Sequence, residues 1–211
     1  MCIRDRHYNI TTKLESYHEF NQNIKTDEII EELKSGLSIA IISDAGLPVI
    51  SDPGYKIVKE AVRLGIAVST IPGASAGISA LIASGIAPMP YTFYGFLDSK
   101  RTKRLQELND LKYVNHTIIF YEAPHRIMDT LKDILETMGD RFCCIARELT
   151  KTYEEYIHGK VSELLELETI KGEIVLIIEG YQEVGLVTGN PNEKIDELIS
   201  MGYKPNEAIK E

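Results

Sequence analysis

Cysteine is scarce in this sequence of 211 residues, and long hydrophobic runs are absent. The three cysteines are Cys2, Cys143 and Cys144, and the adjacent pair lies in an apolar stretch typical of a buried strand. We therefore expect reduced structural thiols and no disulfide framework. No stretch approaches the roughly 18 apolar residues of a membrane-spanning helix, and the charged start does not resemble a signal peptide. The sequence thus predicts a cytoplasmic protein with no membrane association.

Positive charge is also in deficit, because the formal net charge is -9 at pH 7. Such a charge excludes a protein that coats nucleic acid through its overall field. A local RNA-binding groove remains possible because several basic residues are grouped. The candidates are Lys100, Arg101, Lys103 and Arg104, followed by Arg126 and Arg147. A solvated helix face is the alternative interpretation of residues 100–104.

Alternating helical and strand patterns run along the chain. Apolar periodicity predicts a helix from residue 26, buried strands at 37–42 and 66–71, and helices at 57–64 and 74–84. This order is the βαβ signature of an open α/β sheet.

The second half continues the alternation after a break marked by two prolines. Strands are predicted at 91–97, 117–121, 142–146, 153–158 and 173–178, with helices at 101–111, 126–138 and 161–167. Some pairing must be antiparallel, since the strands that flank Lys151 are too close for a helical crossover. A polar linker leads to a helix at 192–201 and to another that begins at Pro205. We expect α/β domains at residues 7–75 and 76–180, and a third region at 181–211.

Two small-residue loops follow the first two predicted strands. The first loop, SDAGLPVISDPG, spans residues 43–54, and the second loop, IPGASAG, spans residues 71–77. Open α/β sheets bind ligands at the carboxyl ends of their strands. Ala45 and Gly46 allow close approach of the backbone, and Asp44 can accept hydrogen bonds from ribose hydroxyls or an ammonium group. A turn with Asx caps is the alternative interpretation of the first loop.

The two loops also exclude several classes of site. Neither matches the G-x-G-x-x-G fingerprint or a P-loop, which makes kinases, GTPases and dehydrogenases poor candidates. No histidine accompanies Asp44 and Asp52, so we predict no metal site.

Two charged segments follow later strands. The third segment, FYEAPHR, covers residues 120–126 and contains Glu122 and His125, and the fourth, RELTK, covers residues 147–151. Charged loops that converge on the ends of neighbouring strands indicate a polar functional site.

Five motifs together resemble one enzyme family. SDAGxPxISDPG, IPGxSA, FYEAPHR, ARELTK and KGE occur in the order found in the tetrapyrrole methylase superfamily. They are most similar to its members that methylate the ribose 2'-hydroxyl of a cytidine in 16S ribosomal RNA. The resemblance implies two α/β domains with S-adenosylmethionine in the cleft between them, a homodimer, and 16S rRNA or the small ribosomal subunit as partner.

The resemblance also implies positions for the cofactor contacts. They are Asp44, Ala45, Gly46 and Ile50 in the first loop, Ser75 and Ala76 at the second, and Glu122 and Leu149 at later strand ends. Methyl transfer to a hydroxyl needs in-line positioning and a base, and no metal. Glu122, His125 and Lys151 are the candidate bases, unranked.

The sequence departs from the family pattern at both ends. The N-terminal strand, its Gly-Asn-Leu loop and a Cys-Glu-Asp-Thr-Arg segment are missing, and the residues before His7 look unrelated. We therefore expect a chain truncated at both ends, with an incomplete first sheet. The alternative functions are a tetrapyrrole methyltransferase, which would replace the basic cluster by an apolar aromatic trough, and an inactive binding module.

Overall fold

The structure is a computed structural model that describes residues 7–182, 191–200 and 204–205. The helices are α1 (Gln22–Lys34), α2 (Tyr55–Arg63), α3 (Ala76–Ala83), α4 (Arg101–Leu111), α5 (Ile127–Met138), α6 (Val161–Leu164) and α7 (Pro191–Ser200). The strands are β1 (Tyr91–Phe96), β2 (Thr117–Glu122), β3 (Phe142–Arg147), β4 (Glu155–Lys160) and β5 (Ile174–Ile178). The predicted α/β class is confirmed.

The five strands form one mixed sheet in the order β1-β2-β5-β3-β4. Strands β1 and β2 are parallel, whereas β5 is antiparallel to both β2 and β3, and β4 is antiparallel to β3. Strands β1, β2 and β3 therefore run in the same direction. Their carboxyl ends share one edge of the sheet with the starts of β4 and β5, and we call this the site edge.

The two faces of the sheet bury separate apolar clusters because side chains alternate along each strand. Ile118 and Phe120 belong to the cluster on one face, where residues of α4, α5 and α6 also pack. Ile119 belongs to the cluster on the other face, which contains residues of α3. In α3, a Cβ on Gly77 would lie 3.2 Å from the Phe93 ring, so this small residue lets the helix approach the sheet closely.

The adjacent cysteines of β3 point to opposite faces of the sheet. Cys143 belongs to the first cluster and Cys144 to the second. Burial raises the pKa of Cys143 to about 12 and that of Cys144 to about 11. The prediction of reduced structural thiols is confirmed for this pair, and Cys2 lies outside the described residues.

The two strands predicted in the first third of the chain are wrong. Residues 37–42 and 66–71 lie outside the sheet, and side chains such as Leu37 and Ile71 are exposed. A strand requires a neighbour that pairs its backbone groups, and within the described residues neither segment has one. The apolar runs therefore predicted neither the strands nor their burial, because no residue of either run is buried. The helices predicted beside them are confirmed as α1 and α2.

The elements predicted for the second half are confirmed, including antiparallel pairing of β3 with β4 around Lys151. Helix α7 agrees with the helix predicted at 192–201. The linker at 183–190 and the continuation of the helix from Pro205 lie outside the described residues. The division into regions 7–75, 76–180 and 181–211 stays a prediction. Within the described ranges, no helix is long and apolar enough to cross a membrane.

Candidate functional site

The first and second loops lie against each other. A Cβ on Gly46 would lie 3.8 Å from the carbonyl oxygen of Ala74, and one on Gly73 would lie 3.1 Å from Leu47 Cδ2. Gly46 has a φ of +72°, a conformation that favours glycine. The sequence-predicted residues 44–46 of the first loop and 75–76 beside the second are therefore brought together, with Asp44, Ala45, Gly46 and Ala76 exposed.

Hydrogen bonds within the first loop stabilise it, and two of its residues have strained backbone conformations. The Ser43 hydroxyl donates to the Asp52 carboxylate and accepts from the Ala45 N–H at 3.3 Å. Val49 and Ser51 have φ values of +75° and +58°, which is unusual above all for a β-branched side chain. Each such residue costs on the order of 1–3 kcal/mol, and such strain clusters at ligand sites. The loop conformation therefore supports a binding role.

Both loops contact the site edge through β1 and β2. The Tyr121 hydroxyl accepts a hydrogen bond from Gly77 N at 3.3 Å, where the second loop enters α3. A Cβ on Gly95 would lie 3.3 Å from Ser51 Oγ, so the first loop approaches β1 just before its end. The N-terminal loops and the sheet therefore form one continuous surface, which is the candidate site.

Glu122 is a structural carboxylate in this arrangement. The residue is only 3% exposed. Its Oε1 accepts from Ala123 N at 2.8 Å and its Oε2 from Thr130 Oγ1 at 2.6 Å. A general base must reach the proton that it removes, and both Glu122 oxygens are already occupied in the interior. The expectation that Glu122 is a base is therefore not supported, and we assign its carboxylate a positioning role, while its contact with the cofactor stays a prediction.

Arg126 joins the ends of β1 and β2. Its Nη2 donates to the carbonyl oxygens of Leu97 at 2.9 Å and Asp98 at 3.3 Å, and its Nε lies 3.3 Å from Glu122 Oε1. The Nε contact is an ion pair with poor hydrogen-bond geometry. The guanidinium therefore holds the turn after β1 and is not presented to a phosphate, contrary to expectation.

The third and fourth segments lie at the same end of the sheet, but not on neighbouring strands as predicted, because β5 lies between β2 and β3. Glu122 and Arg147 both pair with Ile174, one on each side of β5. Strands are spaced by roughly 4.8 Å, so two such steps separate the segments. Leu149 packs against the apolar cluster that contains α3 residues.

The charged side chains of the fourth segment are engaged in ion pairs. Lys151 Nζ lies 2.9 Å from Glu148 Oε1 and 3.2 Å from Glu173 Oε2. Hydrogen bonds to these two carboxylates raise the pKa of Lys151, first through Glu148, so the amine stays protonated and cannot accept a proton. Arg147 is paired with Glu155 at 2.6 Å. The predicted roles of Lys151 as a base and of Arg147 as a phosphate ligand are not supported.

His125 differs from the other two candidate bases. It is exposed at the site edge, and no hydrogen bond or ion pair engages it among the described residues. One ring nitrogen of a neutral imidazole is a hydrogen-bond acceptor, so His125 can receive a hydrogen bond from a substrate hydroxyl.

The basic cluster divides into surface and interior residues. Arg104 is 5% exposed, and its Nη2 lies 2.7 Å from Asp133 Oδ2. Arg101 is exposed but bridges Asp133 and Glu136 at 2.9 and 2.7 Å. The expectation that Arg104 binds RNA is wrong, because its charge is neutralised between α4 and α5.

Two lysines of the cluster remain available. Lys103 is exposed and has only a long contact of 3.6 Å with Asp98. Lys100 is exposed, and its amine forms no ion pair within the described part of the chain. In that same part, no group of three or more His, Cys, Asp and Glu residues is placed to hold a metal.

Sequence reasoning missed an aromatic group at the site edge. The Phe93 and Phe96 rings both contact the ring of Tyr121, at centroid distances of 5.0 and 5.6 Å. The available signal was Gly95 inside an aromatic strand, which indicates a bulge or a close approach of backbone.

Comparison with known sequences identifies the chain's relatives. The profile of the family described as Tetrapyrrole (Corrin/Porphyrin) Methylases matches residues 2–165. The residues before His7 lie outside the described part of the chain, and their relation to the family stays a prediction. Ribosomal RNA small subunit methyltransferase I of Bacillus subtilis is 47% identical over 213 residues, which cover 96% of this chain and 73% of that protein. The enzyme of the same name from Vibrio cholerae is 42% identical, over 85% of this chain and 64% of its own length.

Solved structures share the fold. A diphthine synthase superimposes with a TM-score of 0.63 at 14% identity, covering 85% of this chain and 74% of its own. Uroporphyrin-III C-methyl transferase from Thermus thermophilus, complexed with S-adenyl homocysteine, gives 0.56 at 14% identity, covering 83% and 80%. At these identities the likeness establishes the fold alone.

Proposed function

The chain belongs to the tetrapyrrole methylase family and is a methyltransferase, and we propose that it methylates the ribose 2'-hydroxyl of a cytidine in 16S ribosomal RNA with S-adenosylmethionine. The relatives that are 42–47% identical support the RNA substrate through their names. The contact between the first and second loops at the site edge carries the proposal for the cofactor. The proposal also includes a division of the chain into regions 7–75, 76–180 and 181–211, and a homodimer.

The two loops fit an adenosyl-amino-acid cofactor. Gly46 presents backbone without a side chain where a Cβ would face Ala74, and Asp44 is an exposed carboxylate that can pair with the ammonium or ribose. Ile50 offers an exposed apolar surface, and Ser75 and Ala76 are small enough for close approach. When bound, the sulfonium supplies the methyl group.

The protein's own residues would position the RNA and accept one proton. Lys100 and Lys103 attract the phosphate backbone, and His125 accepts the proton of the ribose hydroxyl. Glu122 and Arg126 are positioning residues. Arg126 binds the backbone after β1 and pairs with Glu122, so together they fix the turn that leads to Lys100.

The cofactor site is tested with a pair of glycine substitutions. Gly46 and Gly65 share a φ of +72°, but a Cβ on Gly65 meets nothing within 4 Å. We expect Gly46→Leu to abolish binding of S-adenosylmethionine in calorimetry, while Gly65→Leu, with the same backbone strain, retains it. Equal affinities of the two variants would refute the cofactor site.

The RNA site is tested by transfer of a labelled methyl group and by salt dependence. We expect transfer to 16S rRNA, naked or in small subunits, with the label on a cytidine ribose. Replacing Lys100 and Lys103 together with Ala should reduce the slope of log K against log salt by roughly one to two, with unchanged cofactor affinity. The charge-matched variant Lys132→Ala/Lys160→Ala should keep the parent slope.

The same assays separate the competing functions. Methyl transfer to a tetrapyrrole and not to RNA would replace the proposal by the tetrapyrrole alternative. A folded chain that binds neither S-adenosylmethionine nor RNA would indicate an inactive module.

A further inference from the structure

Strand β1 is irregular next to the candidate site. Its register with β2 shifts between Phe93 and Gly95, so Tyr94 is an extra residue with no partner in the pairing. Without the bulge, Phe93 and Phe96 would point to opposite faces of the sheet, since side chains alternate. With it, both contact Tyr121, while Tyr94 lies against Phe120 at a centroid distance of 5.6 Å. Bulges commonly re-aim a side chain beside a functional site.

The ring of Phe96 packs against Tyr121 and is otherwise partly exposed to solvent. Its centroid lies 5.6 Å from that of Tyr121, at an interplanar angle of 64°. Tyr121 is in turn fixed by Phe93 and by the hydrogen bond from Gly77. Phe96 nevertheless remains 54% exposed, so part of its ring is available for contact.

The surroundings of Phe96 belong to the proposed site. Gly95 contacts the first loop at Ser51, and Arg126 holds the backbone of Leu97 directly after the ring. Lys100 follows four positions later, with no ion pair among the described residues. Proteins hold single-stranded nucleotides with aromatic rings and cations together, because the base stacks on the ring and the cation neutralises the phosphate.

We propose that Phe96 is the stacking platform for an unpaired base of the RNA substrate, placed beside the cofactor loops by the bulge at Tyr94. The inference rests on the proposed function, because it assumes that the substrate is RNA. It adds a binding residue that acts through a base, whereas Lys100 and Lys103 act through phosphates.

The test compares aromatic and aliphatic residues at this position. We expect Phe96→Ala and Phe96→Leu to weaken binding of a single-stranded 16S rRNA fragment by roughly 5- to 100-fold. The salt slope and the affinity for S-adenosylmethionine should stay at parent values, since phosphate and cofactor contacts remain. Phe96→Tyr should restore RNA binding. The matched control is Tyr113→Ala, an aromatic residue that is 68% exposed after α4, whose RNA affinity should not change.

A fluorescence measurement gives a direct readout of stacking. The sequence contains no tryptophan, so Phe96→Trp introduces a single indole. We expect the same RNA fragment to quench its emission, and to leave that of Tyr113→Trp unchanged. RNA binding by the parent with unaltered affinity in Phe96→Leu, or quenching by a porphyrin but not by RNA, would overturn the inference. Failure of the parent itself to bind and methylate RNA would instead refute the proposed function.

Discussion

Removal of the Arg104 side chain is expected to destabilise the fold and not to impair RNA binding directly. Its Nε and Nη2 lie 2.8 and 2.7 Å from the same Asp133 oxygen, and both side chains are nearly excluded from water. Breaking a buried ion pair from one side costs about 3–5 kcal/mol, because the remaining charge loses its partner. Arg101 still binds the other Asp133 oxygen at 2.9 Å, so we expect about 3 kcal/mol for Arg104→Ala.

Thermal and urea unfolding measure this loss. For a chain of this size, each kcal/mol shifts Tm by roughly 2–4 °C, so Arg104→Ala should melt about 6–12 °C below the parent. Arg101→Ala is the control, because this side chain is 59% exposed and contacts the same carboxylate. Its removal should lower Tm much less than removal of Arg104, because solvent screens an exposed ion pair.

Two results would refute this reasoning. One is an Arg104→Ala variant that melts with the parent. The other is an Arg101→Ala variant that loses as much stability as Arg104→Ala. The apolar pair Arg104→Met/Asp133→Leu should recover much of the loss, since buried ion pairs are often replaced without cost by well-packed hydrophobic residues.

Two further predictions concern the site edge and the core. A Cβ on Gly172 would collide with the Glu148 side chain, so Gly172→Ala should lower the free energy of unfolding by roughly 1–3 kcal/mol more than Gly139→Ala, which has a similar φ and open space, in urea titrations. Equal losses would contradict the collision. Cys143 and Cys144 should resist iodoacetamide at pH 8 until the chain is denatured, as mass spectrometry of peptides would show. Because their folded pKa values of about 12 and about 11 exceed the unfolded value of about 8.5, their contribution to stability is complete below the unfolded pKa. It should be lost as the pH rises toward the folded values, and labelling of both thiols in the folded chain would contradict their burial.

The second half of the fold could be predicted from the sequence because all five strands of the described sheet lie within it. Each apolar run from β1 to β5 finds a neighbouring strand within residues 91–178, and the crossover helices bury their apolar faces on the same sheet. The apolar runs at 37–42 and 66–71 looked equally strong. Their periodicity reports the apolar side chains but does not report whether a backbone partner exists, and none is present within the described residues.

The positions of the candidate site could also be predicted, although the roles of several side chains could not. Small residues and prolines are local features, so they mark the first and second loops even though neither loop follows a strand in the described part of the chain. Charged residues are different, because their partners come from distant elements. Arg104 on α4 pairs with Asp133 on α5, and Arg126, just before α5, binds the carbonyl oxygen of Leu97, just after β1.

The sequence by itself determined the strands of the second half, the small-residue loops and which residues carry charge, since all of these depend on neighbours along the chain. Only the tertiary structure decided which charges remain available. Burial and pairing remove Arg104 and Glu122 from solvent, while Lys100 and His125 remain at the surface. The tertiary structure also decided the direction of the Phe96 side chain. This direction depends on the register of β1 against β2, which cannot be predicted from the local sequence.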